Sequence, residues 1–183
     1  MSKNIVVLSG STRKGDSADR LTAIFEEGAK SVPRAKKEVT VFRTTDMDIA
    51  MCTGGDTCYD KETVGECSIK DDMYKIYDAL RQADALIIVS PVHFFGVSRN
   101  LKNAIGRTYA MHSEGLNLRC GLLLTCGGAK VSVMDDAVAF YNKLLAFHNW
   151  EDAGRVAIGG LREDTSINGR KELAEVRLLG KDI

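Results

Sequence analysis

The sequence predicts a single doubly wound α/β domain, a five-stranded parallel sheet of order 2-1-3-4-5 between two helical layers. Three observations carry this. Short β-branched apolar runs occur without polar alternation, as in strands buried on both faces. A stretch with apolar residues at helical spacing follows each run. The chain has 183 residues, 44% hydrophobic and 27% charged, enough for one buried core without disulfides or metal.

The elements read in order. Asn4-Ile5-Val6-Val7-Leu8 is the first strand, closed by Ser9-Gly10-Ser11. After a polar turn from Thr12 to Asp16, Leu21, Ile24, Phe25 and Gly28 recur at helical spacing, with Ser17 at the N-cap position and Pro33 ending the region. Val39, Val41 and Phe42 mark a second strand. A Gly-, Asp- and Thr-rich loop runs from about 44 to 70, long enough to expect function or local structure. Asp71-Asp72 open a helix through Met73, Ile76, Tyr77 and Leu80, acidic residues lying at its positive end. Ala85 to Val89 is the third strand, stopped by Ser90-Pro91, and Ser98 to Arg107 the next helix, with Leu101, Ala104 and Ile105 inward. Cys120 to Thr125 is the fourth strand. A helix follows from Val131 to His148, carrying Met134, Val138, Tyr141, Leu144 and Leu145. Arg155 to Ile158 is the fifth strand and Gly169 to Leu179 the last helix.

Composition excludes several functions. Lys plus Arg and Asp plus Glu each number 25, so there is no broad electrostatic footprint for nucleic acid or an anionic membrane. No apolar run reaches membrane-spanning length, and the apolar N-terminal run is too short for a signal peptide. The expectation is a cytoplasmic protein with no nucleic-acid or membrane partner. Five cysteines, an odd number, argue against a disulfide framework. Cys120 and Cys126 read as packing residues, Cys126 close enough to the expected ligand edge for redox chemistry. Tyr141 and Trp150 read as core or interface residues. His112 falls in a polar loop, and His148 sits near a helix C-terminus, where a cation suits the dipole; both read as structural residues.

In an open α/β sheet a ligand sits beyond the carboxyl ends of the strands at the topological switch point, here between strands 1 and 3. The loops after strands 1, 3 and 4 meet there. The first, Ser9-Gly10-Ser11-Thr12-Arg13-Lys14-Gly15-Asp16-Ser17, enters a helix N-terminus, where free N–H groups and the dipole favour an anion. Hydroxyls at Ser11, Thr12 and Ser17 and the Arg13 guanidinium complete a phosphate cradle; the plainer reading is a capped polar turn. It is no P-loop, because Asp16 stands where that motif needs Lys, and no GxGxxG is present. The second, Ser90-Pro91-Val92-His93-Phe94-Phe95-Gly96-Val97-Ser98, offers either a platform for a flat ring or two phenylalanines packed between helix and sheet. The third, Thr125-Cys126-Gly127-Gly128, lets a ligand approach bare backbone, or is a simple turn.

GSTRKGDS after the first strand, DDM before the second helix and SPVHFFGVSRNLKNAIGR after the third strand resemble the NADPH-dependent FMN reductase family, close to its iron–sulfur flavoprotein branch. The resemblance runs from about residue 3 to residue 160. It implies a flavodoxin-like domain over residues 1–183 with a Cys-containing insertion at about 44–70, and FMN as cofactor. The positions it implies around FMN are Ser9, Ser11, Arg13, Ser17, Ala18, Pro91, Val92, His93, Phe94, Phe95, Thr125, Cys126, Gly127 and Gly128. His93 is the side chain placed to touch the ring or an acceptor. NAD(P)H is the implied co-substrate, and a quinone, flavin, nitro or azo compound or redox protein the second acceptor. A homodimer or homotetramer is implied too. That branch carries Cys-x2-Cys-x2-Cys and a fourth Cys. Here Cys52, Cys58 and Cys67 fit three places and Gly55 occupies another. Free thiols in a remnant loop outweigh an iron–sulfur cluster, and zinc ranks lower, since either metal site wants a fourth ligand. The alternative function is a non-enzymatic electron-transfer flavoprotein, possible with a cluster. The chain's zero net charge argues against an acidic flavodoxin-type carrier, and Ser9-Gly10-Ser11 replaces the acidic pair of a receiver domain.

Overall fold

The computed structural model describes residues 3–32, 36–59, 65 and 67–183. Pro33 and residues 60–64 and 66 of the cysteine loop lie outside the described residues. The strands are β1 (Lys3–Ser9), β2 (Lys37–Arg43), β3 (Ala85–His93), β4 (Gly96–Val97), β5 (Arg119–Thr125) and β6 (Glu151–Ile158). The α-helices are α1 (Ser17–Lys30), α2 (Met73–Arg81), α3 (Arg99–Arg107), α4 (Asp135–His148) and α5 (Glu172–Asp182). The sheet order is β2-β1-β3-β5-β6, all parallel, with β4 folded back antiparallel on β3. Leaving β4 aside, this is the expected 2-1-3-4-5 order.

Alternation along each strand divides the core into two layers. Val6, Leu8, Leu86, Ile88, Leu122 and Leu124 pack on one face against Ile76, Leu80, Leu101, Ile105 and Tyr141. Ile5, Val7, Ile87, Val89 and Leu123 pack on the other against Leu21, Phe25, Val176 and Leu179. Here α1 and α5 meet backbone to backbone: a Cβ at Gly28 would lie 2.2 Å from Arg177 O, and one at Gly180 2.3 Å from Phe25 O. Tyr141 and Trp150 are buried as expected, and the Tyr141 hydroxyl donates to Cys120 O at 2.7 Å.

Several boundaries differ from the sequence reading, each for a local reason. The α1 cap is Asp16, whose Oδ1 accepts from Asp19 N at 2.9 Å, and Ser17 is the first helical residue. Strand β3 does not stop at Ser90-Pro91 but runs to His93. Gly10 N donates to Val89 O, so by strand alternation the missing Pro91 N–H falls on the β1 side, beyond that strand's last residue, where no ladder bond is lost. β6 starts at Glu151, where polar residues hid the pattern. His148 is buried and stacked on Trp150, with ring centroids 4.1 Å apart. Burial, reinforced by nearby His112, pulls its pKa down to about 4, so it is a neutral core ring and not a cation on a helix end.

Candidate functional site

The loops after β1, β3 and β5 converge, as the topology requires. Arg13, Asp16, Ser17, Ala18, Pro91, Val92, His93, Thr125, Cys126, Gly127 and Leu161 line one polar cavity of about 140 Å³. A second cavity of about 290 Å³ adjoins it, sharing Val92, Cys126 and Gly127 and adding Phe94, Phe95, Gly128 and Val133. One end of the cleft therefore carries the charge and the helix N-terminus, and the other carries rings and bare glycine backbone.

The polar end is built by the loop before α1. Asp16, 5% exposed, accepts from the Ser11 hydroxyl at 2.9 Å and from Asp19 N. Asp19 accepts from Gly15 N at 2.8 Å and pairs with Arg43. Burial opposes the Asp19 charge, but hydrogen bonds from Arg43 and Gly15 outweigh it and hold the carboxyl below its ordinary range. These bonds fix the loop so that Ser17 and Ala18 of the first turn of α1 line the cavity, at a helix end whose N–H groups favour an anion, the Asp19 N–H being already held by Asp16. Of the expected cradle, Arg13, Ser17 and Ala18 line the cavity. Ser9 and Ser11 are buried beneath it, the Ser11 hydroxyl being engaged by Arg13 O and Asp16. The sequence reading missed Asp16 as a structural cap and missed Leu161, which arrives from the segment after β6.

At the other end, the Ser90 hydroxyl accepts from Ser98 N at 2.9 Å and donates to Pro91 O, tying the base of the β3–β4 hairpin. Pro91 and Val92 form the wall, His93 is exposed at the rim, and Phe94 and Phe95 lie outside the polar cavity. Gly10 is required by close packing: a Cβ there would lie 2.2 Å from Ser98 Oγ and 2.9 Å from Leu101 Cβ. The Cys126 thiol is 3.3 Å from Gly128 O. Burial pushes the Cys120 thiol well up, so it is an inert core group.

The cysteine loop is anchored to α3. Asn100 and Asn103 donate to Thr44 O and Ile49 O. Arg107, 2% exposed, donates to Ala50 O at 3.2 Å, Ile69 O at 3.1 Å and both oxygens of Asp71, the nearer at 2.7 Å. Asp71 thus serves a buried ion pair rather than only the α2 dipole. Burial works against both charges, yet the mutual hydrogen bonds lower the Asp71 pKa and raise that of Arg107. Cys52 is exposed, and Cys58 and Cys67 are half-buried. Burial raises the Cys58 pKa, with Cys67, Cys52 and Asp56 adding to it. Among the described residues no three His, Cys, Asp or Glu side chains come together to hold a metal ion.

An open parallel sheet with an anion grip at its switch point and a glycine-lined apolar wall opposite defines a flavodoxin-like cofactor-binding protein. The chain belongs to the NADPH-dependent FMN reductase family, whose pattern it matches over residues 3–148. Among curated relatives, it is 31% identical over 115 residues to an iron–sulfur flavoprotein of Archaeoglobus fulgidus, covering 63% of this chain and 53% of that protein. It is 27% identical over 158 residues to one from Methanosarcina thermophila, covering 85% of this chain and 76% of the relative. The match thus spans about half the length of the first relative and three quarters of the second. Solved structures show the same fold. An NAD(P)H:quinone oxidoreductase from Methanothermobacter marburgensis has a TM-score of 0.72 at 15% identity, covering 99% of this chain and 94% of that one. An FMN-dependent NADH-azoreductase from Bacillus anthracis has a TM-score of 0.66 at 15% identity, covering 98% of each chain.

The donor set fits FMN: a guanidinium, a hydroxyl and helix N–H groups at one end suit a phosphate, and an apolar, glycine-backed wall suits a flat ring. The donor set of the described residues does not fit a cubane cluster, which wants four thiolates, since the loop offers three, Cys52, Cys58 and Cys67. No helix among the described residues is long and apolar enough to cross a membrane.

Proposed function

We propose that this protein is an FMN-dependent oxidoreductase that takes hydride from NAD(P)H and reduces a second, small-molecule or protein acceptor, with residues 1–183 acting as one flavodoxin-like domain. The observation that carries this is the two-ended cleft at the β1/β3 switch point, polar and dipole-facing at Arg13 and Ser17 and apolar at Val92 and Gly127. When bound, FMN supplies the redox chemistry, which no side chain here provides.

The chain's own residues place and shield that chemistry. Arg13, the Ser17 hydroxyl and the α1 N–H groups hold the phosphate. Pro91 and Val92 form one wall, and Thr125 to Gly128 the other, where absent side chains at Gly127 and Gly128 admit close approach. Ser9 and Ser11 support the loop from beneath. Phe94, Phe95 and Val133 line the apolar end. His93 stands at the rim, where an acceptor enters. The cysteines Cys52, Cys58 and Cys67 are free thiols in this reading, and assembly is as a homodimer or homotetramer.

The test is the anaerobic visible spectrum with iron analysis, followed by NADH and NADPH oxidation. Flavin bands, no stoichiometric iron and nicotinamide-dependent bleaching support the reductase. Flavin that neither nicotinamide reduces would make the chain a carrier. About four irons per chain, as for a cubane cluster, would overturn the assignment of the three thiols.

A further inference from the structure

The β3–β4 hairpin has a two-residue loop: His93 pairs with Gly96, and Phe94 and Phe95 lie between them. Both have positive φ, 46° and 69°, the backbone of a type I′ turn. Asn-Gly is the natural occupant of such a turn, and two consecutive bulky residues in the left-handed region are strained. Nor do the rings recover that strain by burial, since Phe94 is 96% and Phe95 49% exposed. The hairpin therefore holds two rings in solvent against backbone preference, and such strain points from geometry toward a ligand.

Besides the apolar end of the cleft, the rings line a third cavity, of about 340 Å³. Its other walls are Val97, Lys102, Asp136 and Phe140. The Lys102 ammonium sits 3.4 Å from the centre of the Phe140 ring. Among the described residues no carboxylate lies within ion-pair distance of it, Asp136 included. Desolvation lowers the Lys102 pKa, and the Phe140 ring face is the contact that holds its charge. Three phenylalanines and an ammonium with no carboxylate beside it form a surface complementary to a flat ring bearing one negative charge. Asp136 lies at the first turn of α4, where the helix dipole already favours its charge.

We propose that this cavity, bounded by Phe94, Phe95 and Phe140 with Lys102 at its edge, is a second binding site that takes a planar aromatic anion of the arenecarboxylate class. The site shares Phe94 and Phe95 with the apolar end of the cleft, but Val97, Lys102, Asp136 and Phe140 lie outside that cleft, and they hold the ligand whether or not flavin is bound.

The experiment is calorimetric titration of the purified protein, with and without saturating FMN, using 2-naphthoate, neutral 2-naphthamide and cationic 2-naphthylmethylammonium. The expected result is saturable naphthoate binding at one site per chain in both conditions, about tenfold tighter than the amide, as one ion contact of roughly 1.4 kcal/mol gives. Lys102→Gln erases that preference. The double variant F94N/F95G, which installs the residues the turn favours, melts no lower than the parent yet binds naphthoate at least about tenfold more weakly, the loss of roughly one ring contact. Five outcomes would overturn the proposal: no saturable naphthoate binding, a preference that survives in Lys102→Gln, undiminished binding in the double variant, a lower melting temperature in the double variant, or tighter binding of the cation. Binding of naphthoate without any FMN uptake would support this site while sinking the proposed function, so the two stand or fall separately.

Discussion

Removing the Arg107 guanidinium should release the cysteine loop and reverse the acid response of Asp71. In the native chain Asp71 and Arg107 side chains are 5% and 1% exposed, linked at 2.7 Å. Arg107 also holds the two ends of the loop through Ala50 O and Ile69 O. Arg107→Met keeps the packing volume but strips two carbonyls of their donor and leaves the buried Asp71 carboxylate with only the Ala50 and Met73 N–H groups. Breaking one side of a buried pair costs about 3–5 kcal/mol, a large share of the stability of a domain of this size. The pH dependence carries the sign. In the native protein the Asp71 pKa is lowered, so the pair's contribution is present above the unfolded carboxylate pKa and is lost as pH falls through the folded one. In the variant only the Ala50 and Met73 N–H groups still oppose desolvation, so the pKa rises and protonation relieves the buried charge. The variant's deficit should therefore be largest at pH 7 and shrink toward pH 5. Urea denaturation at both pH values measures this, and limited proteolysis between residues 50 and 70 should report faster cleavage. A deficit under about 1 kcal/mol, the size of an exposed ion pair, or one that grows toward pH 5 would refute the reasoning.

Other expectations follow from single contacts. His148 has a pKa near 4 against an ordinary 6.5, so the folded state binds fewer protons. Stability is full above pH 6.5 and falls by about 3 kcal/mol as pH drops to 4, a slope that His148→Phe should flatten in pH-dependent melts. Gly10→Ala places a methyl 2.2 Å from Ser98 Oγ and should destabilise by about 1–3 kcal/mol, read as a lowered melting temperature. Arg13→Gln should weaken FMN binding by about 10- to 100-fold, the loss of one charged hydrogen-bonding group, while leaving riboflavin binding nearly unchanged.

The sheet was legible because each central strand announces itself: Ile5 to Leu8, Ala85 to Val89 and Cys120 to Thr125 are unbroken apolar runs buried on both faces. The switch-point rule then located the cleft before any coordinates. What the sequence hid depended on contacts between distant segments. Asp16 looked like a failed P-loop position, and only the folded loop shows its carboxylate bonded to Ser11 and Asp19. Pro91 looked like a strand terminator, because the end of β1 beside it is invisible in one dimension. Arg107 and Asp71 are 36 positions apart, and their pairing reads locally as two surface charges. His148 reads as structural in the sequence, but its stacking on Trp150 appears only in the fold. The Phe94-Phe95 pair is unusual in the sequence, but its strain appears only with the φ angles.

The central claim is that the cleft between Arg13 and Gly127 holds FMN by its phosphate and its ring. Its most direct test is titration of flavin-free protein with FMN and with riboflavin, followed by quenching of flavin fluorescence. The account predicts saturable FMN binding at one site per chain, at least about 100-fold tighter than riboflavin, since a phosphate gains charged hydrogen bonds of roughly 1.5–3 kcal/mol each. Equal affinities for the two, or no uptake of either, would contradict it.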